Sequence, residues 1–190
     1  MNILELIPIE IFSNDIGKPE HDEYIKCGNY YEHYYSLSQK YKPESILEIG
    51  VRYGYSLCSM VAGSIDTVKY VEGWDNDSYS FQSIKIAKDN LVDHLQYKGT
   101  YKFMKADSHE VALNQHFDLI HIDGDHSYQG KLLDLELVKN ICKTLIVDDY
   151  HHISWVGDAV NLFVAGNTHI IENTYIIDSI RGTFVIEFKQ

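Results

Sequence analysis

Short apolar runs alternate with longer amphipathic segments from residue 43 onward, and this alternation constrains the fold more than any other feature of the chain. Runs such as SILEI and LIHI are almost continuously apolar, which is typical of parallel strands buried on both faces. Strands separated by helical segments form βαβ units, so we predict an α/β protein whose parallel sheet has helices on both faces. The predicted strands are 45–49, 68–74, 101–104, 117–122 and 144–147, and the predicted helices are 55–63, 78–92, 108–115, 127–139 and 155–165.

The two ends of the chain depart from this alternation. Residues 169–188 contain two apolar runs joined by a turn near Arg181 and Gly182, which predicts an antiparallel hairpin at the edge of the sheet. Residues 1–43 are rich in tyrosine and show helical rather than strand spacing. We therefore predict a single domain over residues 1–190, in which residues 1–43 form an N-terminal helical cap or lid.

The charge balance restricts the partners of the chain. It carries 16 lysines and arginines against 28 aspartates and glutamates, a net charge of −12, and no basic run. This composition argues against nucleic-acid and membrane-surface partners. The N-terminus lacks the basic region of a secretion signal, and the three cysteines form no C-x-x-C pair, so we expect the cytoplasm. A homodimer is compatible with the sequence, which does not otherwise indicate an oligomeric state.

Acidic residues follow every predicted parallel strand, at the edge where such sheets bind ligands. After the first strand, Gly50 and Gly54 allow a tight turn and a close approach of a ligand, although a glycine pair also occurs in turns that bind nothing. Their spacing differs from the G-x-G-x-x-G of dinucleotide-binding proteins. Asp75 is placed to accept both hydroxyls of a ribose, and Asp107 to approach an adenine amino group or to cap the next helix.

Taken in order, the segments ILEIGVRYGYS, VEGWDND, KADS, FDLIHIDGDHSY and LIVDDY resemble the class I S-adenosylmethionine-dependent methyltransferases over about residues 43–165. The resemblance implies a Rossmann-like doubly wound sheet of seven strands in the order 3-2-1-4-5-7-6, with strand 7 antiparallel, flanked by helices. Arg52 stands where the fuller G-x-G-x-G motif has its second glycine, which predicts a bulkier loop. The implied ligands of S-adenosylmethionine are Glu48, Gly50, Val51, Tyr53, Gly54 and Ser56 for the methionine part, Asp75 for the ribose and Asp107 near the adenine, with Asn76, Ser108 and Asp123 as further cofactor-binding residues.

Three carboxylates end two neighbouring strands, and they would repel one another unless a cation lay between them. They are Asp123, Asp148 and Asp149, and oxygen-only ligation selects Mg²⁺, Ca²⁺ or Mn²⁺. Together with the phrase DGDHSY, they resemble the metal-dependent O-methyltransferases, in the branch that acts on macrolide sugars and includes cephalosporin-hydroxylase-like relatives, and more distantly catechol O-methyltransferase. The resemblance implies that these residues bind Mg²⁺ or another hard divalent cation. The alternative is that they form caps and turns without a metal.

Two histidines in the same loops are candidates for the general base, because a near-neutral pKa suits proton removal from a hydroxyl. They are His126 and His151, which could instead orient a carboxylate ligand or be merely exposed; His121, inside a strand, is predicted to belong to the core. With Asp123 as a further catalytic residue, the sequence predicts a divalent-metal-dependent O-methyltransferase acting on a hydroxyl of a small molecule or sugar. The alternatives are a metal-independent small-molecule methyltransferase and a non-catalytic cofactor-binding domain.

Overall fold

All five predicted parallel strands form, and their carboxyl ends lie at one edge of the sheet. The structure is a computed structural model that describes residues 31–76, 82–179 and 181–190. The predicted strand boundaries differ from the observed ones by at most two residues. The strands are β1 (Ser45–Ile49), β2 (Tyr70–Asp75), β3 (Thr100–Lys105), β4 (Phe117–Ile122), β5 (Cys142–Val147), β6 (Ile171–Ile177) and β7 (Thr183–Phe188). Their order is β3-β2-β1-β4-β5-β7-β6, with β7 antiparallel to β5 and β6, which confirms the predicted topology.

Five α-helices flank this sheet in the described part of the chain. They are α1 (Glu32–Tyr41), α2 (Tyr55–Gly63), α3 (Ser83–Asp89), α4 (Tyr128–Val138) and α5 (Ser154–Gly166). Helix α3 continues into a π-helical turn over Asn90–His94, while residues 78–81 of the predicted helix lie outside the described residues. Helix α1 is the described part of the predicted N-terminal cap, whose residues 1–30 also lie outside them. Within the described ranges, no helix combines the length and the apolar character needed to cross a membrane.

The helix predicted over 108–115 is wrong. Only a 3₁₀ turn forms, over Ser108–Glu110, and the chain is extended at Val111. Val111 and Leu113 both pack against the core, and a spacing of two residues places both side chains on one side only when the backbone is extended. Tertiary packing therefore overrides the helical pattern in this segment.

Successive residues of the central strands point to opposite faces, and each face of the sheet has its own core. Ile46 and Leu119 pack on the side of α1 and α2, whereas Leu47 and Ile120 pack on the side of α4 and α5. All four side chains are fully buried. Burial on both faces explains why these strands are apolar at nearly every position, as expected for a parallel sheet between two helical layers.

A buried carboxylate, Glu72, joins β2 to β3. Lys102, its register partner on β3, donates a hydrogen bond to Glu72 Oε1 at 2.7 Å, and Trp74 Nε1 donates to the same oxygen at 2.8 Å. The Tyr70 hydroxyl donates to Oε2 at 2.6 Å. Burial alone would raise the pKa of Glu72, but these three donors outweigh it and hold the pKa below its ordinary value.

Because the folded state lowers the pKa of Glu72, its ionised form stabilises the protein above the unfolded-state pKa of about 4.3. This stabilisation is lost as the pH falls through the lower, folded-state value. We expect Glu72→Gln to lower the free energy of unfolding by about 2 kcal/mol at pH 7, and by progressively less below about pH 4. Urea unfolding at a series of pH values measures both effects. Glu172→Gln is the matched control, since Glu172 is exposed; a deficit that stayed constant with pH would contradict the prediction.

Candidate active site

In the turn after β1, the backbone at Gly50 lies very close to the backbone of the loop after β4. Gly50 has a φ of 86°, in the left-handed region, and an added Cβ would lie 2.4 Å from the carbonyl oxygen of Asp123. The amides of Gly50 and Val51 both donate to the carbonyl of Trp74, at 2.9 Å. The turn therefore packs between the end of β2, to which it is hydrogen-bonded, and the end of β4. Arg52 also has a positive φ, of 43°, at the position where the resemblance expects a glycine.

The carboxylate of Asp75 stabilises this turn. The Arg52 amide donates to Asp75 Oδ2 at 2.7 Å, and the hydroxyl of Ser83, at the start of α3, donates to Oδ1 at 3.1 Å. Asp75 ends β2 and is partly exposed, and Asn76 follows it directly. The side chain is thus held in a fixed orientation at the strand end where a ribose is predicted to bind.

Glu48 is fully buried at the start of the same turn and is paired with a histidine of the neighbouring strand. Glu48 on β1 and His121 on β4 are register partners, and Glu48 Oε1 lies 2.6 Å from His121 Nδ1. The Ser56 hydroxyl donates to the same oxygen, while Oε2 has no hydrogen-bond partner among the described residues. Burial raises the pKa of Glu48, against the opposing effect of these two hydrogen bonds. Burial lowers the pKa of His121, but the Glu48 carboxylate outweighs this and raises it.

His121 is fully buried, in agreement with the prediction, but its partnership with Glu48 was not predicted from sequence. Its ring packs against Tyr34 of α1, with the two ring centroids 4.9 Å apart. Tyr34 is itself fully buried, and the ring of Tyr31 lies 5.7 Å from that of Tyr55. Helix α1 and the residue before it therefore pack over the end of β4 and the start of α2.

Ser108, a predicted cofactor-binding residue after β3, is hydrogen-bonded to another side chain of the protein. Its hydroxyl donates to Asp134 Oδ1 on α4 at 2.6 Å, and His109 Nε2 lies 3.3 Å from the same oxygen. Asp107 Oδ1 accepts the amide of His109 at 3.0 Å, as a cap of the short turn. Asp134 is completely buried, and burial raises its pKa. These bonds hold the segment after β3 against α4, and the Asp107 side chain remains exposed.

The loops after β4 and β5 bring two carboxylates and an imidazole together. One oxygen each of Asp123 and Asp149 and one nitrogen of His126 all lie within 4.8 Å of one another. His126 Nε2 is 3.1 Å from Asp123 Oδ1 and 3.2 Å from Asp149 Oδ2. The hydrogen bond to Asp123 raises the pKa of His126, against the opposing effect of burial. Burial and the neighbouring Asp123 carboxylate raise the pKa of Asp149.

Asp148 and His151 do not belong to this group of three, although Asp148 lines the same cavity as Asp123. Asp148 Oδ1 accepts a hydrogen bond from the Thr183 hydroxyl at 3.3 Å, and Thr183 Oγ1 also lies 3.0 Å from His33 Nε2 of α1. His151 is exposed and packs beside the ring of Tyr150, with centroids 5.1 Å apart. Of the predicted metal ligands and bases, the structure therefore groups Asp123, Asp149 and His126.

Arg181 completes the cluster and was not among the predicted residues. Its Nη1 donates to both oxygens of Asp149, at 3.0 and 3.3 Å. The chain has only two arginines, Arg52 and Arg181, and both line the same cavity between the glycine turn, α1 and the β6–β7 turn. The scarcity of arginine in an acidic chain is the sequence signal that could have pointed to them. Tyr31, Tyr34, Gly50 and Asp123 line the same cavity.

A seven-stranded sheet of this order, with its last strand antiparallel, is the class I methyltransferase fold. The chain belongs to the methyltransferase-domain family, because a family model described as "Methyltransferase domain" matches residues 47–150, more than half of its length. This result confirms the predicted class of enzyme. A search of curated protein sequences finds no match.

Solved structures share the fold at low sequence identity. The SAH-bound methyltransferase PaMTH1 of Podospora anserina has a TM-score of 0.72 and 18% identity, over 100% of this chain and 88% of that one. The O-methyltransferase of Bacillus cereus in complex with SAH has a TM-score of 0.65 and 17% identity, over 98% of this chain and 100% of that one. Cofactor-bound Rv0187 from MTB has a TM-score of 0.65 and 15% identity, over 83% and 78% of the two chains.

Proposed function

We propose that this methyltransferase uses S-adenosylmethionine and transfers its methyl group to a hydroxyl of a small molecule or sugar, with a divalent cation bound at the acid cluster. One observation carries the proposal: the glycine turn of Gly50 and the carboxylate of Asp123 line a single cavity. A methyl donor on the turn and an acceptor beside the cluster would therefore meet. The SAH complexes of PaMTH1 and of the Bacillus cereus enzyme support the choice of cofactor.

Methyl transfer from a sulfonium needs little activation of the methyl group itself. The acceptor oxygen forms a bond to the methyl carbon as the carbon–sulfur bond breaks, and the sulfur becomes a neutral thioether. The protein must align the two reactants and accept the hydroxyl proton. We assign proton acceptance to His126, because its raised pKa strengthens it as a base and because it lies in the cluster while His151 does not.

The donor set fits a divalent cation. Carboxylate oxygens of Asp123 and Asp149 suit Mg²⁺ or Mn²⁺, and the imidazole of His126 could serve as a further ligand in place of its role as base. When bound there, such an ion would lower the pKa of a coordinated hydroxyl. We place Asp148 beside this ligand set rather than in it, because the Thr183 hydroxyl binds its carboxylate.

A metal-independent methyltransferase is the second candidate, and a specific contact favours it. Arg181 already supplies a positive charge to Asp149, so part of the electrostatic need for a cation is met by the chain itself. His126 would then remove the acceptor proton without assistance. The two candidates share the cofactor and differ in their response to added metal and chelator.

Calorimetric titration of S-adenosylmethionine into the purified protein tests the shared part. We expect binding by the wild type, and roughly ten- to a hundredfold weaker binding by Asp75→Ala, because bonds from ribose hydroxyls to a carboxylate are lost. Asp75 also holds the Arg52 amide, so the melting temperature of the variant must be measured alongside. Asp66→Ala removes an exposed acid and should bind like the wild type. A wild type that did not bind the cofactor would refute the proposal.

A further inference from the structure

Arg181 binds one of the carboxylates of the proposed metal site. Its guanidinium donates to both oxygens of Asp149, one of the two carboxylates of the proposed ligand set. The Asp149 side chain is 1% exposed and that of Arg181 24%, so the pair is largely shielded from water. A shielded, charge-assisted contact of this kind is stronger than an exposed ion pair.

The backbone brings Arg181 to this position. The carbonyl of Arg181 accepts the amides of His151 and His152, at 2.9 and 3.0 Å, and the carbonyl of Gly182 accepts the amide of Tyr150 at 2.9 Å. The turn between β6 and β7 is thereby docked onto the loop after β5. Gly182 has a φ of 74°, and an added Cβ would lie 2.6 Å from the His151 ring, so the two segments approach closely.

Asp149 itself adopts an unusual backbone conformation at this contact. Its φ of 61° lies in the left-handed region, which non-glycine residues seldom occupy. Asp149 is the second residue after the end of β5, and its conformation separates the direction of its side chain from that of Asp148. Asp149 therefore contacts both His126 and Arg181, while Asp148 contacts Thr183.

We infer that Arg181 is a resident cation of the acid cluster that competes with a divalent ion for Asp149 and thereby sets the metal affinity of the site. The inference rests on the metal site of the proposed function. Arg181 and His126 already use lone pairs of both Asp149 oxygens, so few remain for a metal ion, and two cations at one carboxylate repel each other. Metal binding is therefore weakened as long as the guanidinium stays on Asp149.

The consequence is that removing the charge of residue 181 strengthens metal binding. We expect Arg181→Gln to bind Mn²⁺ roughly tenfold or more tightly than the wild type, because the guanidinium no longer repels the ion or competes for the Asp149 oxygens. Arg181→Lys retains the positive charge and should bind Mn²⁺ with an affinity close to that of the wild type. Asp149→Asn should weaken binding in both the wild-type and the Arg181→Gln backgrounds.

Mn²⁺ is titrated into each variant without cofactor or acceptor, and the free ion is measured by electron paramagnetic resonance. Melting temperatures verify that the variants are folded. Equal affinities for the wild type and Arg181→Gln would overturn the competition while leaving the metal site of the proposed function intact. Weaker binding by Arg181→Gln would also overturn it, by showing that Arg181 supports the ligand loop. Failure of every variant to bind Mn²⁺ would overturn the inference and the metal part of the proposed function together.

Discussion

Gly50→Ala is expected to lower the free energy of unfolding by about 3 kcal/mol or more and to abolish cofactor binding. The left-handed φ costs a residue with a Cβ about 1–2 kcal/mol, and overpacking typically adds about 1–3 kcal/mol. The atoms that the new Cβ would meet are the carbonyl oxygen and carbon of Asp123, at 2.4 and 2.5 Å, and Cα of Gly124, at 2.6 Å. All of them belong to the backbone, so no side chain can rotate away.

Urea unfolding and cofactor calorimetry measure the two effects. The control is Gly166→Ala at the end of α5, where an added Cβ would meet no described atom within 4 Å. Alanine also has a higher helix propensity than glycine, so this variant should be neutral or more stable by up to about 1 kcal/mol. If the two variants lost the same stability, close approach at Gly50 would not be the cause.

The second large effect concerns the buried pair of Glu48 and His121. Removing one partner of a fully buried hydrogen-bonded pair leaves the other polar group uncompensated, so Glu48→Leu and His121→Leu should each lower the free energy of unfolding by about 3 kcal/mol. Replacing both partners removes the uncompensated group, and the double variant should be more stable than either single variant. Both side chains are fully buried, so solvent does not screen the pair.

The same double variant separates stability from function. Glu48 is a predicted ligand of the methionine part of the cofactor, and its Oε2 has no partner among the described residues. We therefore expect the double variant to fold yet to bind S-adenosylmethionine poorly. Urea unfolding of the four proteins gives the coupling between the two positions, and calorimetry gives the affinity. Losses that simply added up in the double variant would show that the pair is not coupled.

The fold was largely predictable because its signals are local. Apolar runs such as SILEI, and a turn at Gly50, can be read within a few residues, and the resemblance to a known family supplied the strand order. The helix predicted over 108–115 failed for the opposite reason. Val111 and Leu113 extend because of what they pack against, and that partner lies elsewhere in the chain.

The sequence predicted that the site lies at the carboxyl ends of the parallel strands, but it did not predict which side chains contact one another there. Parallel strands place their carboxyl ends together, so the acids after β2, β4 and β5 had to converge on one crevice. Position in the chain does not determine side-chain direction. Asp148 and Asp149 are neighbours in sequence, yet the φ of 61° at Asp149 accompanies their contacts with different partners.

By itself, then, the sequence determined the α/β architecture, the glycine turn and the crevice where acidic residues gather, because these depend on local pattern and on the common direction of parallel strands. Only the tertiary structure decided that His121 pairs with Glu48 and that Arg181 binds Asp149. Each of these contacts joins residues 73 or 32 positions apart. They depend on strand register and on the docking of one turn against another, and neither is encoded in any short stretch of residues.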